Sequence, residues 1–217
     1  AAVTSKQIAQ FQADFDLDPA RRSLVVLPGS RASEIKRLLP IFCEVVAQPC
    51  FAEFLLIFPT LPHLEPLLRA EIDALAQDTV LVTGAGLTAA AAAEQRLAAY
   101  GAATAALAAS GTVSLELAAA GTPMVIAYDM GFISRLVIGA MLKIDTVTLV
   151  NLVSETRAVP EFIGKDCKAE GIAPALQQIL DAPDAQAQAI KTTMTRLGRG
   201  DPELPYRAAR AVLRGLD

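Results

Sequence analysis

Between Ser23 and Tyr128 the chain alternates short apolar runs with longer stretches of helical periodicity, and proline or glycine punctuates each change. Ser23–Leu27 is stopped by Pro28-Gly29, Phe54–Phe58 by Pro59, Thr79–Val82 by Gly84-Ala85-Gly86, and Ala103–Ala109 by Ser110-Gly111. Pro123–Tyr128 is a fifth such run, following Gly121, and Thr146–Val150 reads as a sixth. Runs that are apolar at every position, rather than at alternate ones, suit strands covered on both faces, which is the condition of a parallel sheet. Between them, Ile35, Leu38, Leu39, Phe42, Val45 and Val46 recur at helical spacing, as do Leu64, Leu67, Leu68, Ile72 and Leu75. Thr88–Ala99 is an alanine-rich helix, and Gly111 opens another that ends at Gly121. Strands alternating with helices predict an α/β fold, a Rossmann-like doubly wound parallel sheet of about six strands.

The flanks read differently. Residues 1–22 carry Ile8, Phe11 and Phe15 at helical spacing before Asp18-Pro19-Ala20, a linker or lead-in helix. After Pro160 the strand signals stop and helical patterns remain, one through Ile172, Leu176, Ile179 and Leu180 and one over Ala185–Leu197. Residues 198–217 begin with Gly198, Gly200, Pro202 and Pro205, hinge-like composition ahead of a last helix, so the sheet domain is assigned to 23–197. The absence of an initiator Met or basic leader at Ala1 reads as a piece of something longer.

Composition narrows the function classes. With 53% hydrophobic residues the chain can bury a large core, and the uncharged stretch Leu97–Leu115 is too rich in Ala, Gly, Ser and Thr to be a bilayer span. A net charge of −4 argues against a nucleic-acid partner contacted over the whole surface. Cys43, Cys50 and Cys167 form no C-x-x-C pair, and His63 is the single histidine, so no metal site is expected and no Ser-His-Asp set can be built. His63, between Pro62 and Leu64, reads as an exposed turn residue.

In open α/β sheets ligands bind beyond the carboxyl ends of the strands. After the first strand stands Leu27-Pro28-Gly29-Ser30-Arg31, where Gly29 permits a tight turn, the following helix start offers N–H groups to an anion, and Arg31 adds a bidentate phosphate donor. An ordinary turn with a capped helix is the competing reading. After the fourth strand stands Ser110-Gly111-Thr112, again a hydroxyl-bearing turn into a helix, suited to a diphosphate. Glu116, one turn further on in an apolar run, either meets the two hydroxyls of a ribose or lies in solvent on the outer face. Two such turns suggest a nucleoside diphosphate, although neither G-x-G-x-x-G after a strand nor a P-loop is present, which disfavours a dinucleotide cofactor. Asn151 and Glu161 bracket a polar loop expected to reach the same edge, with Asn151 offering donor and acceptor to a sugar or base.

Taken together, Leu27-Pro28-Gly29-Ser30-Arg31 with Ser33-Glu34-Ile35 and Leu38-Leu39-Pro40, Ala109-Ser110-Gly111-Thr112 with Leu115-Glu116, Pro123-Met124-Val125 with Ala127-Tyr128, Asn151-Leu152 and Val159-Pro160-Glu161 resemble, in order and spacing, the lipid-A-disaccharide synthase family of Gram-negative bacteria. The resemblance spans most of residues 24–163. It implies the C-terminal, UDP-binding domain of a GT-B glycosyltransferase, an N-terminal acceptor domain outside this chain, and a crossover helix over 198–217. The implied reaction moves 2,3-diacylglucosamine from UDP to 2,3-diacylglucosamine 1-phosphate in lipid A and lipopolysaccharide synthesis. It proceeds with inversion, with neither cofactor nor metal, and on the cytoplasmic face of the inner membrane.

The resemblance makes Gly29, Ser30, Arg31, Ser110, Gly111, Thr112, Glu116, Tyr128, Asn151 and Glu161 UDP-sugar contacts, with Arg31 and Asn151 catalytic. The family's usual proline before the asparagine is Val150 here, and its small residue plus glycine is Ser154-Glu155. Partners implied are the two lipid-sugar substrates, the N-terminal domain, a membrane surface reached through the whole enzyme, and a second copy in a homodimer. Two other readings stand beside it: another UDP-sugar enzyme of the same fold, such as a 2-epimerase or the peptidoglycan glucosaminyltransferase, and a non-catalytic nucleotide-binding module. The apolar stretch Met130–Lys143 reads as a buried or domain-contacting helix, with an interfacial membrane helix as the competing reading.

Overall fold

The central strands are buried at every position, and side chains leave them alternately to two faces, so one sheet carries two hydrophobic clusters. In the structure, a computed structural model that describes residues 3–129 and 146–201, the sheet has six strands, all parallel, in the order β3-β2-β1-β4-β5-β6. These are β1 (Ser23–Leu27), β2 (Leu55–Pro59), β3 (Thr79–Val82), β4 (Ala105–Ala109), β5 (Met124–Tyr128) and β6 (Glu161–Ile163). Such an order is that of a Rossmann-type doubly wound sheet, whose switch point lies between β1 and β4.

Leu24, Val26, Leu56, Phe58, Leu107 and Val125 face the cluster shared with helices α2 (Ala32–Val46), α3 (Glu65–Ile72) and α7 (Ala169–Asp181). Val25, Leu27, Leu55, Ile57, Met124 and Ile126 face the other, covered by α1 (Ser5–Asp14), α4 (Ala89–Ala102), α5 (Val113–Ala120) and α8 (Asp184–Arg196). A capping box of Thr4 and Gln7 starts α1, and Phe11, buried, docks it on the α4 side. The α5 helix ends at Gly121, whose φ of +83° is the left-handed C-cap geometry that glycine adopts without a side-chain penalty.

Strands one to five lie within two residues of the sequence expectation, and the alanine-rich helix runs three residues past it, to Ala102. The sixth does not. Thr146–Val150, read as a strand from its β-branched residues, is instead an extended lead into a short helix, α6 (Leu149–Ser154). The sixth strand is Glu161–Ile163, immediately after Pro160, where strand signals were expected to have ended. The competing interaction is a carboxylate: Glu161 accepts from the Thr146 hydroxyl and from the Thr148 hydroxyl and backbone N–H groups of Val147 and Thr148, holding that segment across the end of the sheet instead of within it.

His63 lies exposed in a single 3-10 turn, as its flanking proline predicts. Among the described residues no helix is long and apolar enough to cross a membrane. Met130–Lys143 and the helix predicted after Pro205 lie outside the described residues.

Candidate functional site

At the switch point the turns after β1 and β4 diverge and leave a cavity of about 480 Å3. Gly29, Ser30 and Arg31 line it from the first turn, Ser110, Gly111 and Thr112 from the second, and Glu116 from the first turn of α5. Leu27, Pro59, Leu61 and Val113 add an apolar wall. Seven of the residues that sequence reasoning singled out therefore meet in one cleft.

The two turns are built differently. At the first, Glu34 turns back and its Oε2 accepts the backbone N–H groups of Ser30 (3.0 Å) and Arg31 (3.3 Å), while Oε1 pairs with the Arg31 guanidinium at 2.9 Å. The expectation of free N–H groups at this helix start is thus corrected for those two, because a carboxylate three residues into the helix already caps them. Gly29 makes the arrangement fit. Its φ is +126°, and a Cβ there would stand 2.6 Å from Glu34 Cβ and 2.7 Å from its Oε2. The Arg31 side chain remains 77% exposed, so most of its donors face the cleft and solvent.

At the second turn the Ser114 hydroxyl bonds the Gly111 carbonyl (3.0 Å), fixing the start of α5, and a Cβ at Gly111 would meet nothing within 4 Å. The N–H groups of Ser114 and Leu115 turn back to the Gly111 and Thr112 carbonyls, so what this open turn offers an anion is the N–H groups ahead of them and the positive end of α5.

Asn151, Glu161 and Tyr128 are placed elsewhere. Asn151 lies inside α6, fully buried, donating to the Val159 carbonyl (2.9 Å) and accepting from the Val159 N–H (3.0 Å), so both ends of its amide are engaged by the chain. The polar loop expected from Asn151 to Glu161 is corrected at its start, which is helical: a buried amide must be paired, and the returning Val159 supplies both partners. Glu161 serves the 146–148 segment described above. Tyr128 ends β5, half-buried against the α2 side of the sheet, and is not among the cavity-lining residues.

Besides Glu34, three polar cleft residues are not among those the sequence singles out. Arg96 and Tyr100 come from α4, and Thr60 from the end of β2, its buried hydroxyl oxygen without a hydrogen-bond partner among the described residues. Arg96 Nε stands 3.7 Å from Glu116 Oε2. Tyr100 is 1% exposed; burial, reinforced by the Glu116 carboxylate and opposed by Arg96, pushes its phenol well above the usual range and keeps it a hydroxyl. Nothing in an alanine-rich helix marks Arg96 and Tyr100 as site residues except that they are rare polar interruptions one turn apart.

The doubly wound parallel sheet with a cleft at its switch point is an α/β fold shared with glycosyltransferases of known structure. The heptosyltransferase II of E. coli that uses ADP-heptose superimposes with a TM-score of 0.62 at 12% identity, covering 84% of this chain and 53% of that one. A protein from Anabaena in complex with UDP and glucose gives 0.56 at 13% identity, over 97% of this chain and 53% of that chain. By sequence the chain belongs to the lipid-A-disaccharide synthetase family, whose match runs over residues 2–204. The lipid-A-disaccharide synthase of Ruegeria pomeroyi is 45% identical over 212 residues, 97% of this chain and 53% of that protein. That of Bradyrhizobium diazoefficiens is 38% identical over 195 residues, 88% of this chain and 48% of that one. The chain spans about half the length of the curated relatives it matches.

Proposed function

We propose that this chain is the UDP-sugar-binding half of a lipid-A-disaccharide synthase. The observation that carries the reading is the convergence of Arg31, the Ser110-Gly111-Thr112 helix start and Glu116 on one cleft at the switch point of a family member. UDP lies with its diphosphate at the α5 N-terminus and its ribose toward Glu116, whose carboxylate accepts from the sugar hydroxyls.

The acceptor's 6-hydroxyl attacks C1 of the donor as the C1–O bond to UDP breaks, with inversion, and a base on the other half of the enzyme takes the proton. What these residues supply is stabilisation of the charge that grows on the leaving diphosphate, from the helix N-terminus and from Arg31. Gly29 and Ser30 keep the Arg31 turn in place. Acyl chains on both sugars require approach from a membrane surface, so the whole enzyme works at the cytoplasmic face of the inner membrane, with the other half supplying the acceptor site.

Removing one such donor typically costs on the order of a hundredfold in rate. Arg31→Ala in the full-length enzyme is expected to lower kcat by about that factor, measured as disaccharide formation. An unchanged rate with undiminished UDP affinity contradicts the assignment. The 217-residue chain alone is expected to bind UDP weakly and to form no disaccharide.

A further inference from the structure

Arg96 and Tyr100 lie one turn apart on α4, and both line the cleft opposite Glu116. Their contact with Glu116 is not that of a closed surface ion pair. At 3.7 Å it engages one guanidinium nitrogen and one carboxylate oxygen, and the two side chains keep 37% and 41% of their surface exposed. An isolated exposed pair of this kind contributes about 0–1 kcal/mol to stability, so its interest lies in where it stands, at the wall of the cleft. Tyr100 adds what a surface pair lacks. Almost wholly buried in the lining of the same cleft, it lies near enough to Glu116 and Arg96 to feel both charges, so the carboxylate faces two polar side chains carried on one helix.

We propose that Arg96 and Tyr100 are positioning residues that aim the Glu116 carboxylate at the ribose hydroxyls of a bound nucleoside diphosphate. The inference rests on the reading of the cleft as a UDP site and adds the device that gives it preference for a ribose. A carboxylate on a free side chain would turn to solvent. Paired with the guanidinium and close to the buried phenol, it keeps an oxygen free for the two hydroxyls, at little ordering cost when the nucleotide arrives. Arg96 acts through Glu116, so its effect on binding depends on whether those hydroxyls are present.

The test is calorimetric titration of the 217-residue chain with UDP and with 2′,3′-dideoxy-UDP. The wild-type chain is expected to bind UDP on the order of tenfold more tightly than the dideoxy compound. Arg96→Ala is expected to remove most of that difference, weakening UDP about tenfold while changing the dideoxy compound less than twofold, and Arg96→Lys to restore part of it. Tyr100→Phe preserves the buried ring, so a fold defect is avoided, and is expected to act in the same direction by a few fold. In a Glu116→Gln background, Arg96→Ala is expected to have no further effect. Equal losses for both ligands, or no loss for either, overturn the positioning role while leaving UDP binding intact. A wild-type chain that binds neither ligand, or binds both equally, overturns the ribose reading of Glu116 itself and this inference with it.

Discussion

Asn151 offers the sharpest contrast between two roles, because its side chain is fully buried and both of its bonds go to one residue. The amide donates to the Val159 carbonyl at 2.9 Å and accepts from the Val159 N–H at 3.0 Å, and Val159 is itself only 2% exposed. Asn151→Ala leaves a buried backbone donor and a buried acceptor with no access to water. Each stranded group costs about 1–3 kcal/mol, so the substitution is expected to destabilise the chain by roughly 2–6 kcal/mol. Set against a typical domain stability of about 5–15 kcal/mol, that lowers the melting temperature by on the order of 10 °C.

Urea unfolding followed by circular dichroism measures it, with the midpoint moving and the slope unchanged. Asn151→Asp, nearly isosteric, is expected to be no better, since it turns a carboxylate oxygen toward the Val159 carbonyl and buries a charge. UDP affinity measured below the transition is expected to stay within twofold of wild type for Asn151→Ala. A variant of native stability that has lost UDP binding refutes the structural role and restores Asn151 to the site.

Two other substitutions or reagents probe the fold around the cleft. Gly29→Ala places a methyl group 2.6 Å from Glu34 Cβ at a φ of +126°, so the turn shifts and UDP binding is expected to weaken by about tenfold or more; calorimetric affinity equal to wild type contradicts this. Burial, with Glu71 adding to it, pushes the Cys43 thiol up to about 11, so it stays protonated and unreactive near pH 8. Iodoacetamide is expected to modify the exposed Cys50 first, and Cys43 only as pH rises above about 10, read by mass spectrometry; equal labelling at pH 8 counts against the packing of α2.

The sheet was legible because strands buried on both faces leave unbroken apolar runs, and the chain punctuates them with Pro28, Pro59, Gly84 and Gly111. The same rule misled at the last strand. Thr146–Val150 has the β-branched content of a strand, yet Glu161 bonds its hydroxyls and N–H groups and α6 begins within it. The true edge strand, Glu161–Ile163, is three half-buried residues long and too short to leave a pattern. In the site, the turn residues were readable from glycine and hydroxyl content at strand ends. Glu34 could have been found as well, since Arg31-x-x-Glu34 has the spacing of a helix-capping pair. Arg96 and Tyr100 could not, because nothing local to an alanine-rich helix tells which of its faces closes a cleft formed by strands on either side of it.

The central claim is that UDP binds at the switch point between β1 and β4. Amide chemical shifts of the isotopically labelled chain, followed during UDP titration, test it most directly. The account predicts saturable shifts concentrated at Ser30, Arg31, Gly111, Thr112, Val113 and Glu116, and their loss in an Arg31→Ala, Glu116→Gln double variant that keeps its native circular dichroism. No shifts at millimolar UDP, or shifts centred away from these turns, would contradict it.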